Sequence, residues 1–422
     1  MINYTILSSN LKRGLVRFCE TICKGLTRPE FKFVSQMVYG LLCSQSCHLS
    51  KIARALEESI TLKKTIDRLS RNLSEFSNAD KLFRSFIKKA KGCISEKTIL
   101  IIDDGDITKP CSVKLEGLRR VHDGSKGGTG IGYLMFDVTA LTPEQKAPIC
   151  VYSRVFSAAE EGFISADDEV LKALQFLREH FGIKNVRALD RGFDANIYYE
   201  EFIDHKEKFV IRAKTNRSVL HKGALVNIMK LTDQYKGKYS LKFRKKDGML
   251  ADCKISIIPI RLPCRPETDL NLIVCRGIGQ NPMLLITNMK NDDDRIAVTV
   301  TKVYLMRWRI EEFHGFKKQQ FGFEDFRVRS LQSIRNLDTL LNIAIGYIGM
   351  LSEKSDESPS VLELIQISKR IYGVPKFKFY AISDGIFAVF ARSGQGISFL
   401  LRKKPKPLQL SLFKELGFSC VA

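Results

Sequence analysis

The sequence has no apolar run long enough to cross a membrane. The closest stretch, Ile343 to Leu351, falls well short of the ~18 residues a span requires. Met1 to Phe18 lacks the apolar centre of a secretory signal, so a cytoplasmic location is expected. The 11 cysteines are odd in number and follow no repeating interval, which excludes a disulfide framework and fits buried thiols in a reducing compartment. Cys43-x3-Cys47-His48 and Cys19-x3-Cys23 do not have the spacing of a zinc ribbon or finger, and at i, i+4 on helices they read as core residues. There is no internal repeat, no low-complexity tract, and a single tryptophan, Trp308. Acidic residues are also short: 46 Asp plus Glu stand against 68 Lys plus Arg, leaving a net charge of +22. An excess of that size points first to a polyanion, because Lys and Arg contacts to phosphates release counterions.

What is present is a folding chain. At 422 residues, 44% hydrophobic and 27% charged, it can build a core and is expected to hold two to four domains. Residues 1–95 carry helical patterns and no strand. Leu49, Ile52, Ala53 and Leu56 make one apolar stripe; after Ser59-Ile60-Thr61, Leu62, Ile66, Leu69 and Leu73 make a second. Lys64, Arg68 and Arg71 fall on another side of that second helix. The pair reads equally as a DNA-binding helix-turn-helix or as a helical hairpin with a basic, solvated face.

Strand patterns follow at Thr98 to Asp103, Tyr133 to Leu141 and Ile149 to Phe156. A helix at Ala166 to His180, a strand at Asn185 to Asp190, a helix near Ala195 to Ile203 and a strand at Phe209 to Lys214 complete the series. Three strands, helix, strand, helix, strand is the order of a ribonuclease H-like α/β core. Residues 218–290 break the alternation with short strands and read as a β-rich insertion. The core then resumes over 291–330 with one long helix, Val298 to Gln320. Residues 331–422 turn helical again, interrupted by a polar loop at Ser352 to Ser360 and ending in the basic tail Arg402 to Lys406; they are a candidate dimerisation region. The glycine-rich stretch Gly124 to Gly132 lacks the pattern of a nucleotide-binding loop and reads as a mobile loop near the substrate.

Asp103 and Asp190 each close an apolar strand. Carboxylates at the ends of neighbouring strands suit hard cations held against a phosphate, although Asp also favours turns after strands. Asp104 follows Asp103 directly; neighbouring strand residues face opposite ways, so one of the two aims at the site, and Asp103 is favoured. On the long helix, at ~100° per residue, Tyr304, Arg307 and Lys318 lie within about 40° of Glu311, with His314 just outside that arc. A carboxylate flanked by two cations and a phenol suits a metal beside a terminal phosphate; the alternative is an exposed Arg307–Glu311 pair of little energetic weight. His314 reads as a proton shuttle, a structural residue or a DNA contact.

Tyr304, Arg307, Glu311 and Lys318 resemble the Tyr-x2-Arg-x3-Glu-x6-Lys signature of cut-and-paste DDE transposases of bacterial insertion sequences. Trp308-Arg-Ile-Glu-Glu-Phe-His314 resembles the wording of that motif, and Asp190-Arg-Gly-Phe-Asp194 resembles the family's second-Asp motif. Asp103 is similar to the first Asp, and Phe209 to Lys214 to the strand that follows the second. The resemblance covers about 98–330. It implies Asp103, Asp190 and Glu311 as catalytic ligands of divalent metal, two ions of Mg2+ or Mn2+. It also implies DNA contacts by Tyr304, Arg307, Lys318, Arg191, Arg212 and Lys214. The expected partners are double-stranded DNA with terminal inverted repeats and a target DNA, with a homodimer forming on the DNA.

Overall fold

A computed structural model describes residues 3–123, 127–141, 148–244, 250–290, 295–354, 358–370 and 377–402. The chain opens with five helices: α1 (Tyr4–Ile22), α2 (Arg28–Ser44), α3 (Leu49–Ala55), α4 (Leu62–Glu75) and α5 (Ala79–Ala90). Their starts are set locally. Thr27 and Glu30 form a reciprocal capping box at α2, with a proline in its first turn, and the Thr61 hydroxyl accepts the Lys64 N–H at the head of α4.

The sheet region follows as β1 (Ile99–Thr108), β2 (Arg119–Asp123), β3 (Gly128–Leu141), β4 (Ile149–Phe156), α6 (Ala166–Phe181), β5 (Val186–Leu189), α7 (Asn196–Asp204) and β6 (Phe209–Arg212). Next come β7 (Ser218–His221), β8 (Ala224–Asn227), α8 (Ile228–Gln234), β9 (Tyr239–Arg244), β10 (Leu250–Leu262), β11 (Arg265–Arg276) and β12 (Met283–Thr287). The chain closes with α9 (Ile296–Met306), α10 (Trp308–Gly315), α11 (Leu331–Glu353), α12 (Pro359–Ile367) and α13 (Phe379–Ser393). The fold is mixed α/β around one mixed sheet.

Within that sheet β1 pairs antiparallel with β3 and parallel with β5, while β5 and β6 are parallel. Two expectations need adjusting here. Asp103 does not end β1, because pairing with β3 carries the strand on to Thr108; only its pairing with β5 stops, at Ile102↔Leu189. Nor does the β-rich segment stand apart. β12 pairs with β6, so β10, β11 and β12 extend the core sheet through shared hydrogen bonds. Part of the glycine stretch is strand as well: residues 128–132 belong to β3 and pair with β2, while 124–126 lie outside the described residues. Gly132 is required there, since a Cβ would run into the Ile107 carbonyl.

Side-chain alternation assigns the two faces. Leu100 and Ile102 pack with Leu174, Leu177 and Phe202 of α6 and α7. Ile99, Ile101 and Ala188 pack with Val300, Tyr304 and Ile310 of α9 and α10. The terminal helices form a third layer in which Leu15, Val34, Leu69 and Phe86 share a core with Ile334, Leu341, Ile345 and Val389. Residues 3–95 and the described part of 331–422 are therefore one packed unit. α11 runs through its middle with 16 of its 23 residues buried, which leaves that helix little surface for pairing with another copy. Residues 403–406 of the basic tail lie outside the described residues.

Candidate active site

Asp103 and Asp190 arrive side by side because each immediately follows the Ile102↔Leu189 pair of parallel strands. Counting along β1, Asp103 shares the face of Ile99 and Ile101, which α9 and α10 cover, whereas Asp104 points the other way. Burial pushes the Asp103 carboxyl up to about 7; His314 and Arg307 oppose the rise, and the neighbouring carboxylates of Asp190 and Asp104 add to it. Asp190 caps a short 3-10 turn, its Oδ1 accepting the Gly192 N–H at 2.6 Å.

The expected single helix over Val298 to Gln320 is interrupted. α9 ends at Met306, the Arg307 N–H donates to the Tyr304 carbonyl at 3.0 Å, and α10 restarts at Trp308. After α10, Phe316–Gln320 forms a π-helical turn. An even 100° per residue therefore does not hold, and the four signature residues do not share a simple stripe. Tyr304 is turned into the core, 2% exposed, and Arg307 is 7% exposed. Arg307 joins two carboxylates: Nη1 lies 3.5 Å from Asp103 Oδ2 and Nη2 lies 2.9 Å from Glu311 Oε1. Arg307 is thus buried at this contact, whereas 45% of the Glu311 side chain stays exposed. Lys318 reaches the end of β1, donating to the Asp106 carbonyl at 2.7 Å and pairing with Glu324 at 2.8 Å.

The Tyr304 hydroxyl and Arg307 Nε are buried, and the hydroxyl faces the side chains of Arg212 and Arg307. Burial pushes the Tyr304 phenol up, while the charges of Arg307 and Arg212 pull it back, which locates Arg212 beside the site. Arg191 and Lys214 are exposed at the ends of β5 and β6. Among the described residues no three of His, Cys, Asp and Glu stand close enough together to enclose a metal ion.

Residues 165–346 match the model of the transposase DDE domain. The chain is similar to that domain over this segment. Its function is that of a DNA transposase, an enzyme whose domain family is generally dependent on divalent metal. Asp190, Arg212, Lys214, Tyr304, Arg307, Glu311 and Lys318 fall inside the matched segment, and Asp103 precedes it. Among solved structures the transposase is similar to a piggyBac transposase in a synaptic complex with hairpin DNA, determined by cryo-EM. The two are 12% identical, over 85% of this chain and 72% of that one, with a TM-score of 0.46. Among the described residues no helix is long and apolar enough to cross a membrane.

In the N-terminal helices of the transposase, α3 packs on α4 across the turn, with Lys64 and Arg71 exposed. Arg68 is engaged otherwise: it pairs with Glu58 at 2.5 Å and donates to the Gln36 side chain at 2.8 Å, bracing α4 against α2. Asp194, the second acid of Asp190-Arg-Gly-Phe-Asp194, is buried and takes bonds from the Tyr199 hydroxyl, the Lys214 N–H and Arg217, so it ties α7 to the chain after β6.

Sequence reasoning missed a buried polar cluster beneath α10. Asp137 on β3 is the cross-strand partner of Asp103, and its Oδ2 meets His314 Nε2 at 3.1 Å and Lys317 Nζ at 3.3 Å. Lys317 also reaches Asp338 Oδ1 of α11 at 2.6 Å. The available signal was a charge inside an apolar run, as in Leu134-Met-Phe-Asp-Val138.

Proposed function

We propose that the transposase works through a ribonuclease H-like core in which Asp103, Asp190 and Glu311 hold two divalent ions, Mg2+ or Mn2+. One observation carries the reading: strand register sets Asp103 beside Asp190, and Arg307 ties Asp103 to Glu311. The strand order β4-β3-β1-β5-β6, with β1, β5 and β6 parallel and β3 antiparallel to β1, supports the core assignment. The donor set fits such ions, since all three are hard oxygen ligands and Asp103 is a buried carboxyl crowded by others of its kind. Bound there, the ions supply Lewis-acid stabilisation to the attacking and leaving oxygens of an in-line phosphodiester displacement.

The side chains around them orient the DNA. Arg307 offers guanidinium donors to a phosphate of the transposon end, with the buried Tyr304 phenol beside it and Arg212 holding its orientation. Lys318, Arg212, Lys214 and Arg191 extend that contact along the strand. The substrate is double-stranded DNA with terminal inverted repeats, cut at its ends, after which the freed 3′-OH attacks target DNA. α3 and α4 read the ends through Lys64 and Arg71, with Arg68 holding α4 at the right angle. Two copies act on the two ends, and the protein works at the nucleoid in the cytoplasm. A strand-transfer assay on DNA bearing the native ends tests this. Joined product in Mg2+ that disappears with EDTA is expected; binding without cutting under both conditions refutes it.

A further inference from the structure

We propose that Asp137, Lys317 and His314 are positioning residues that fix Glu311 through the docking of α10. The inference rests on the assignment of Glu311 given above. Helix α10 is pinned to two neighbouring strands at once. Near its start, Arg307 grips Asp103 of β1; near its end, His314 and Lys317 grip Asp137 of β3. Because Asp103 and Asp137 are cross-strand partners, the two pins sit side by side on one face of the sheet.

The pins differ in what they are free to do. Asp103 and Arg307 are the groups that a metal ion and a DNA phosphate recruit, so their mutual contact must change as the site fills. The Asp137 pin is sealed: Asp137 and Lys317 are 0% exposed and Asp338 is 2% exposed. It is also cross-linked to its neighbours, although His314 Nε2, Asp338 Oδ1 and Asn342 Oδ1 make no hydrogen bond among the described residues. The Ser153 hydroxyl lies 2.5 Å from Asp137 Oδ1 and 2.6 Å from Asp338 Oδ2, and Asn342 donates to Asp338 at 3.1 Å. Burial disfavours the charge on Asp137, yet Lys317 and then His314 hold its carboxyl well below the usual range. The cluster thus joins β3, β4 and α11 to the helix that carries Glu311.

Two further features favour a positioning role over simple stability. Replacing a buried ion pair with apolar groups of similar volume is often neutral or stabilising, so such a cluster is weak evidence of stabilisation. In addition, the π-helical turn at Phe316–Gln320 sends Lys317 inward to Asp137 and its neighbour Lys318 outward to the end of β1. π-Helical turns are rare and occur frequently at functional sites.

The test is Mn2+ binding by the full chain, followed by electron paramagnetic resonance without DNA. The double variant Lys317→Met/Asp338→Asn removes one charge of each sign and leaves Asp137 with Ser153 and His314. It should keep the parent's helical circular dichroism and DNA-end affinity while binding Mn2+ about tenfold more weakly. Added to Glu311→Ala, it should weaken Mn2+ binding no further, because it acts through that carboxylate. Unchanged Mn2+ affinity in the folded double variant, or an additive loss, overturns the proposal. If the double variant does not fold, His314→Asn decides: parental Mn2+ affinity overturns the proposal, and a loss absent from the Glu311→Ala background supports it. A parent chain that binds no Mn2+ refutes the metal assignment itself, and this inference with it.

Discussion

Arg307 carries more of this site than any other single side chain. Its two terminal nitrogens reach different carboxylates on different elements, and its third nitrogen is buried. A guanidinium can do this because its donors are fixed in a planar fork; an ammonium is a single point charge. Arg307→Lys should therefore fold and bind DNA ends like the parent but lose about 100-fold or more in joining rate, the scale of a misplaced catalytic group. Joining rates of the two proteins side by side check it, and parity means that charge alone suffices. Asp103 could be separated from Asp104 only by counting alternation along β1 against the helices that cover each face. That count depends on where α9 and α10 pack, which adjacent acids in a sequence do not reveal. Asp137 was harder still. Its role depends on Lys317 and Asp338, distant in sequence, meeting it across three elements.

Among the elements, α4 separates two kinds of basic residue that look alike on a helical wheel. Lys64 and Arg71 are exposed, whereas Arg68 is committed to Glu58 and Gln36. Lys64→Ala/Arg71→Ala should weaken binding to element ends and reduce the salt slope by about 1 for each phosphate that is no longer neutralised. Arg68→Ala should instead lower thermal stability, by about 1 kcal/mol, with a smaller effect on the salt slope. Titrations at several salt concentrations, beside thermal melts, distinguish these outcomes; equal salt slopes for Lys64→Ala/Arg71→Ala and the parent would remove α4 from the DNA interface. Strand and helix positions were largely legible, because period-2 and period-3.6 patterns report burial directly. The break at Arg307 was not. Its N–H bonds to the Tyr304 carbonyl, a local tightening that the apolar pattern does not report. The missed strand β2 is Arg119-Arg-Val-His-Asp123, too polar to show alternation, and pairing with β3 holds it in place.

At the scale of the molecule, sequence order and spatial order part company. Residues 1–95 stand out in the sequence as a helical segment ahead of the strands, yet Leu69 and Phe86 share a core with Leu341 and Ile345, and the Asn336 side chain donates to the Leu73 and Phe76 carbonyls. Gly346 of α11 is small because α5 sits against it: a Cβ there would run into the Phe86 ring. Patterning shows that a helix has an apolar face but not which distant helix covers it. Residues 1–95 expressed alone should lack a cooperative thermal transition, whereas the full chain should show one; a cooperative melt of the fragment would mean that these helices form an independent domain after all. The most direct test of the whole account is cleavage of end-bearing DNA by Asp103→Ala, Asp190→Ala and Glu311→Ala, each beside a binding titration, in Mg2+. The account predicts that all three lose cleavage by about 1,000-fold or more while retaining end affinity, because the acids serve chemistry and the basic residues serve binding. Parental cleavage by any one of the three would contradict it.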